Sequence, residues 1–146
     1  KNLLQHSLPL KIREKIINKL FKSVIGLDEK NFSKILYMNS KNIMEMYKDK
    51  MVIGSHGDYH LWWEKISYKS KLNEIRNSIN FFKKIEVYDH NFSVCYPYGS
   101  YDLDTLKILK QYNVNYAFTT KVGSISYKNI DKFLELPRFD TNDFKQ

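Results

Sequence analysis

The chain has 146 residues and a mass of 17.5 kDa, with 42% hydrophobic, 27% charged and 15% aromatic residues. Eleven Tyr and nine Phe exclude a solvated coil, and this length can bury a core without disulfides or metal staples. No apolar run is long enough for a transmembrane helix, and the lone Cys95 excludes an internal disulfide framework.

The net charge of +8 is uneven: residues 1–50 carry 11 basic against 5 acidic side chains, and residues 51–100 and 101–146 are each +1. Of the 24 basic residues, 21 are Lys; the others are Arg13, Arg76 and Arg138. Nucleic-acid surfaces favour Arg for its bidentate contacts, so this excess reads as solvated helix faces and not as a nucleic-acid site. Polyanion or membrane-surface contact through residues 9–34 is the alternative.

Residues 9–24 read as an amphipathic helix. Pro9 suits its first turn, Ile12, Ile16, Leu20 and Val24 recur every four residues, and Gly26 stops it. A shorter helix is predicted over 40–50, capped by Asn39 or Ser40. A strand follows at 51–54, then a loop holding His56 and His60. Ser67 is placed to cap a helix over 68–84 with Leu72, Ile75, Ile79 and Phe82 on one face. Residues 92–96 read as a strand, with Cys95 a small apolar member of it. Pro97-Tyr98-Gly99 turns the chain, and Asp102 caps a helix to about Tyr112, with Leu103, Leu106 and Leu109 or Lys110 at helical spacing. Asn113 can take the left-handed stop usually given to Gly. Residues 114–119 read as a strand, 121–132 as a loop, and 133–138 as a last short strand ending at Pro137.

Strands alternating with helices at this spacing define an α/β fold with a parallel sheet. In such folds functional groups gather where strands end and helices begin. The two most unusual segments fall there: His56-Gly57-Asp58-Tyr59-His60 after one strand and Pro97-Tyr98-Gly99 after the next. The i, i+4 histidines can face one metal ion; the plainer reading is two exposed side chains on a polar loop. Gly57 in place of Glu excludes the His-Glu-x-x-His zinc-protease pattern. Asp58 sits too close in sequence to converge with both, so a third ligand is expected elsewhere. The 97–99 turn could aim backbone N–H groups at a site, or could simply pack tyrosines.

Together these segments resemble the polysaccharide deacetylase family, the NodB-homology domain of carbohydrate esterases. Val52 to His60 is similar to the family's H-(S/T)-x-x-H motif after an E-I-G-S strand. Phe92 to Gly99 is similar to its F-x-Y-P-Y-G motif, and Leu136-Pro137-Arg138 to its L-P-R segment. Tyr37-Met38-Asn39-Ser40 fits the approach to the first of these, and the resemblance spans about residues 36–140.

The resemblance implies a partial, distorted (β/α) barrel over 36–146, preceded by a basic helical segment over 1–35. It implies metal-dependent removal of an N- or O-acetyl group from an acetylated carbohydrate, such as a bacterial surface glycan. His56 and His60 would be ligands of a divalent metal, commonly zinc. The Tyr98 backbone N–H would stabilise the oxyanion, Pro97 and Tyr98 would line the acetyl pocket, and Arg138 would orient a carboxylate. Trp62, beside the histidine loop, is a candidate for stacking on a sugar ring.

Three departures stand out. No Asp-Asp pair occurs, no His follows His90, and Gly57 replaces the usual Ser/Thr. The family's third ligand, base and general acid are thus missing. With Lys1 in place of Met, the expectation is a longer enzyme whose upstream part carries the Asp pair, this portion alone being inactive. The competing expectation is a non-catalytic carbohydrate-binding or scaffold domain that keeps the fold.

Overall fold

The computed structural model describes residues 4, 7–26, 28–127 and 132–144. The ends of the 1–35 and 36–146 segments, and residues 128–131 of the expected 121–132 loop, lie outside them. The chain divides into two compact units, Lys1–Lys41 and Asn42–Gln146.

The first unit holds helices α1 (Leu10–Ile25) and α2 (Glu29–Leu36). Gly26 ends α1 in the left-handed region at φ 67°, the stop its position implied. Patterning alone gives no sign of α2. Its start is local chemistry: the Asp28 carboxylate accepts the Lys30 N–H at 3.0 Å. Phe21 meets Phe32 edge to face at 5.4 Å. The α1 stripe of Ile12, Ile16, Leu20 and Val24 stays exposed.

The second unit is the α/β body. Helix α3 (Ser40–Lys48) leads to strand β1 (Gly54–Ser55). Helix α4 (Tyr68–Lys84), strand β2 (Ser93–Cys95), helix α5 (Leu103–Gln111) and strand β3 (Tyr116–Phe118) follow. The strands pair in parallel in the order β1-β2-β3, with Ser55 opposite Val94 and Cys95 opposite Phe118. This is the parallel, helix-flanked partial barrel that the resemblance implied.

The caps fall where the sequence placed them. Ser67 accepts the Ser70 N–H at the start of α4, and Asp102 forms a reciprocal capping box with Thr105 at the start of α5. The strands are shorter than predicted, and at the starts of β1 and β3 the helix ends give the reason. Helices α3, α4 and α5 each close through a left-handed residue: Lys50 (φ 69°), Glu86 (φ 59°) and Asn113 (φ 57°). The next N–H then reaches back five residues, Met51 to Met46, Val87 to Phe82 and Val114 to Leu109. Met51 and Val114 thus finish helices instead of starting strands. The last expected strand reduces to a parallel bridge of Leu136 with Phe118, and Pro137 has no N–H to extend it.

The core joins Ile75 and Ile79 of α4 to Ile108 and Leu109 of α5 over Phe92, Val94, Tyr96 and Ala117 of the sheet. On α5 Thr105, Ile108 and Leu109 are buried and Leu106 packs against the core, so the expected Leu106 and Leu109 face inward, whereas Leu103 is exposed. Cys95 is half-buried with a free thiol.

One ion pair crosses the core edge. Lys71 of α4, only 2% exposed, bonds Asp102 at the cap of α5. Burial pushes the Asp102 carboxyl up. The bonds from Lys71 and from the Thr105 N–H and hydroxyl outweigh it, holding the carboxyl below its ordinary range. A depressed folded value means the stabilisation is complete above the unfolded value of about 3.9 and is lost as pH falls through the lower folded one. Wild type is therefore expected to lose more Tm than Asp102→Asn between pH 5 and pH 2 in thermal melts. In urea at pH 7, Asp102→Ala strands the Lys71 ammonium and should cost about 2 kcal/mol, discounted from a fully buried pair because the carboxylate is 38% exposed. Lys71→Met, which leaves the less buried partner behind, should cost less.

Candidate active site

Parallel pairing sets the loops after β1 and β2 side by side, about 4.8 Å apart along the hydrogen-bonding direction. His56 follows β1 directly, and its ring reaches the neighbouring strand: Nδ1 lies 2.8 Å from the carbonyl oxygen of Cys95. A carbonyl only accepts, so Nδ1 carries a proton, and Nε2 is the nitrogen turned to the loop. His60 brings its own Nε2 to 2.9 Å from that atom, a hydrogen bond in which one of the two nitrogens holds a proton that an ion taking both lone pairs would displace. The i, i+4 spacing thus does bring the two imidazoles to one point, on a tight loop and not on a helical turn.

The loop is strained. Gly57 sits at φ +86° and His60 at φ 55°, a left-handed value costly for a side chain with a Cβ. Helix α4 holds it in place. The Glu74 carboxylate, 4% exposed, accepts the Tyr59 N–H at 3.1 Å and the Asp58 N–H at 3.3 Å. Asn77 donates to the Asp58 carboxylate at 3.3 Å, which turns Asp58 toward α4. Ser78 bonds Ser55, whose hydroxyl also accepts the Gly57 N–H at 3.1 Å.

Sequence reasoning passed over these three residues. Their signal was the spacing 74, 77, 78: polar side chains at i, i+3 and i+4 beside the apolar Ile75 and Ile79, a stripe that must serve a partner other than water.

The second loop is equally constrained. Tyr98 lies at φ 57°, ψ 12°. The Gly99 and Ser100 N–H groups are spent on the Tyr96 and Pro97 carbonyls, at 2.9 Å each. No such bond takes up the Tyr98 N–H among the described residues. Its ring meets His60 edge-on at 4.5 Å and stacks on Trp62 at 4.5 Å, 5° from parallel. Lys65 Nζ lies 4.8 Å from the Trp62 ring centre. Trp62 is thus half-buried in a stack of its own, not a bare platform. Pro97 is buried and faces Gly57. Below the turn, the Tyr96 hydroxyl donates to the Leu134 carbonyl at 2.6 Å, and burial pushes its pKa well above the ordinary range.

Arg138 is exposed at the end of the sheet, its Nε donating to the Thr119 carbonyl at 3.0 Å. Its nearest charge effect is on Asp140. That carboxyl is held below its ordinary range chiefly by the Asn142 backbone and side chain, with Arg138 a minor contributor.

The donor set suits a divalent metal in part. The Cys95 carbonyl that accepts the His56 Nδ1–H fixes the ring's orientation, as carbonyls do behind metal-binding imidazoles. Two Nε2 atoms converge, but no cluster of three His, Cys, Asp or Glu side chains forms among the described residues.

The fold, the histidine loop and the tyrosine turn together define a carbohydrate deacetylase-like domain. The chain belongs to the polysaccharide deacetylase family, whose model matches residues 26–117. Members of this family are generally metal-dependent and act on acetylated carbohydrates. Among solved structures the chain is similar to the Streptococcus pyogenes deacetylase PplD in complex with acetate. The match has a TM-score of 0.62 at 27% identity, over 69% of this chain and 43% of that one. The chain therefore spans under half the length of that deacetylase. No curated protein sequence matches it.

Glycine substitutions should rank by what a Cβ would meet. At Gly26 nothing lies within 4 Å, so Gly26→Ala is expected to cost about 1 kcal/mol, for φ alone. At Gly57 a Cβ would sit 3.2 Å from Pro97 and 3.3 Å from Glu74, and at Gly99 it would overlap the Thr120 side chain. Gly99→Ala should cost about 2–3 kcal/mol, with Gly57→Ala between. Urea unfolding midpoints check the order, and equal losses at all three would contradict it.

Proposed function

We propose that this domain is part of a longer enzyme that hydrolyses an acetyl group from an N- or O-acetylated sugar, as on a bacterial surface glycan, with His56 and His60 holding a zinc ion and this portion alone inactive. The observation that carries the reading is the meeting of the two Nε2 atoms at 2.9 Å, with His56 Nδ1 held on the Cys95 carbonyl. Bound there, zinc would supply Lewis-acid polarisation of the acetyl carbonyl and a water of lowered pKa.

The remaining work falls to this chain's own groups. The Tyr98 N–H donates to the oxygen that becomes an oxyanion as the carbonyl is attacked. Pro97 and the Tyr98 ring wall the acetyl methyl, and the Trp62 edge borders the sugar. Arg138 stands ready at the same end of the sheet to orient a carboxylate.

The two proton transfers have no assigned residue, since no adjacent Asp pair and no late His exist in the sequence. In this reading a carboxylate pair from an upstream segment supplies the third ligand and the base. Residues 36–146 then form one portion of the barrel, and residues 1–35 a basic helical segment before it.

Two measurements test the reading. Equilibrium dialysis should retain about one zinc per chain, and His56→Ala or His60→Ala should abolish retention while the fold, followed by circular dichroism, persists. The 146-residue chain with zinc should release no acetate from chitin oligomers. Clear turnover would show that the proton-transfer groups lie within it.

A further inference from the structure

We propose that Glu74 is the positioning residue of the histidine pair and sets its affinity for metal. The inference rests on the reading that His56 and His60 hold a divalent ion. Its own ground is the backbone between them.

Gly57 and His60, both left-handed, bracket Asp58 and Tyr59. The N–H groups of those two residues are the ones Glu74 accepts, at 3.3 Å and 3.1 Å. One carboxylate thus grips the peptide run that carries the strain. A left-handed His60 persists only where its surroundings over-determine it, and this grip is the over-determination. Without it the 57–60 segment can relax to ordinary φ values, and His60 Nε2 leaves its place beside His56 Nε2.

Burial points the same way. Glu74 is 4% exposed, and among the described residues no cationic side chain pairs with it. Its carboxylate oxygens accept instead from the Asp58 and Tyr59 N–H groups. Glu74 therefore acts through the backbone it holds, and it touches neither the ion nor the substrate.

Glu74→Gln keeps the size of the side chain but removes the charge and one acceptor. Cobalt titration, followed by the visible absorption of the bound ion, should give a Kd raised about 10- to 100-fold in this variant. Lys71→Met, another buried α4 change one turn away that leaves the loop alone, should lower Tm but leave the cobalt Kd within about twofold. Unchanged affinity in Glu74→Gln, with wild type binding through its histidines, would overturn the inference. Equal losses in both variants would reduce it to a general effect of stability and also overturn it. No binding by wild type, or binding that survives His56→Ala, would overturn the metal reading and the Glu74 role with it. Should Glu74→Gln fail to fold, amide hydrogen exchange in wild type decides. Asp58 and Tyr59 should be protected although their side chains are exposed, and cobalt should slow them further. Fast exchange at both would refute the grip.

Discussion

The hydrogen bond from His56 Nδ1 to the Cys95 carbonyl is the contact on which the site depends. It exists because β1 and β2 run parallel with Ser55 opposite Val94. In an antiparallel pair the loop after β1 would lie beside the start of β2, far from the Pro97 turn. In the parallel pair both loops leave the same end of the sheet, one strand apart. The bond does two things at once. It joins the loops, and it decides which imidazole nitrogen is left to bind. Everything further, the approach of His60 and the edge contact with Tyr98, is arranged around that choice.

The site also holds strained backbone. His60 and Tyr98 are both left-handed without being glycine, and their rings touch at 4.5 Å. Strain of about 1–3 kcal/mol per residue must be offset elsewhere. Helix α4 supplies the offset on one side through Glu74, Asn77 and Ser78. The buried bond from the Tyr96 hydroxyl to Leu134 anchors the other. A helix that reads as plain core packing thus has two duties: Ile75 and Ile79 face the core, and the polar stripe beside them serves the loop.

Much of this was legible in the residues. Ser67 and Asp102 announce their helices because capping is local chemistry, set by one side chain and the next few N–H groups. The two motif loops are legible because glycine, proline and histidine are rare and their order is specific. What stayed hidden is what depends on partners distant in sequence. The start of the first strand was misjudged because Lys50 takes a left-handed stop that periodicity does not signal. Helix α2 was missed because eight residues hold too little pattern. On α5 only Leu103 was misplaced, an apolar side chain that lies outside. Glu74 could not be found as a partner of Asp58 and Tyr59 until the fold set them together, although a Glu beside Ile75 on an inward face was a visible anomaly.

The central claim is that a fixed tautomer aims two Nε2 atoms at one ion. Long-range proton–nitrogen NMR of the imidazoles, with zinc added stepwise, tests it most directly. The account predicts that His56 is protonated on Nδ1 before zinc is added and remains so afterwards. It also predicts that the Nε2 resonances of His56 and His60 shift together and saturate near one equivalent. A His56 protonated on Nε2 in the metal-free protein, or a zinc shift seen at Nδ1 or at only one of the two rings, would contradict it.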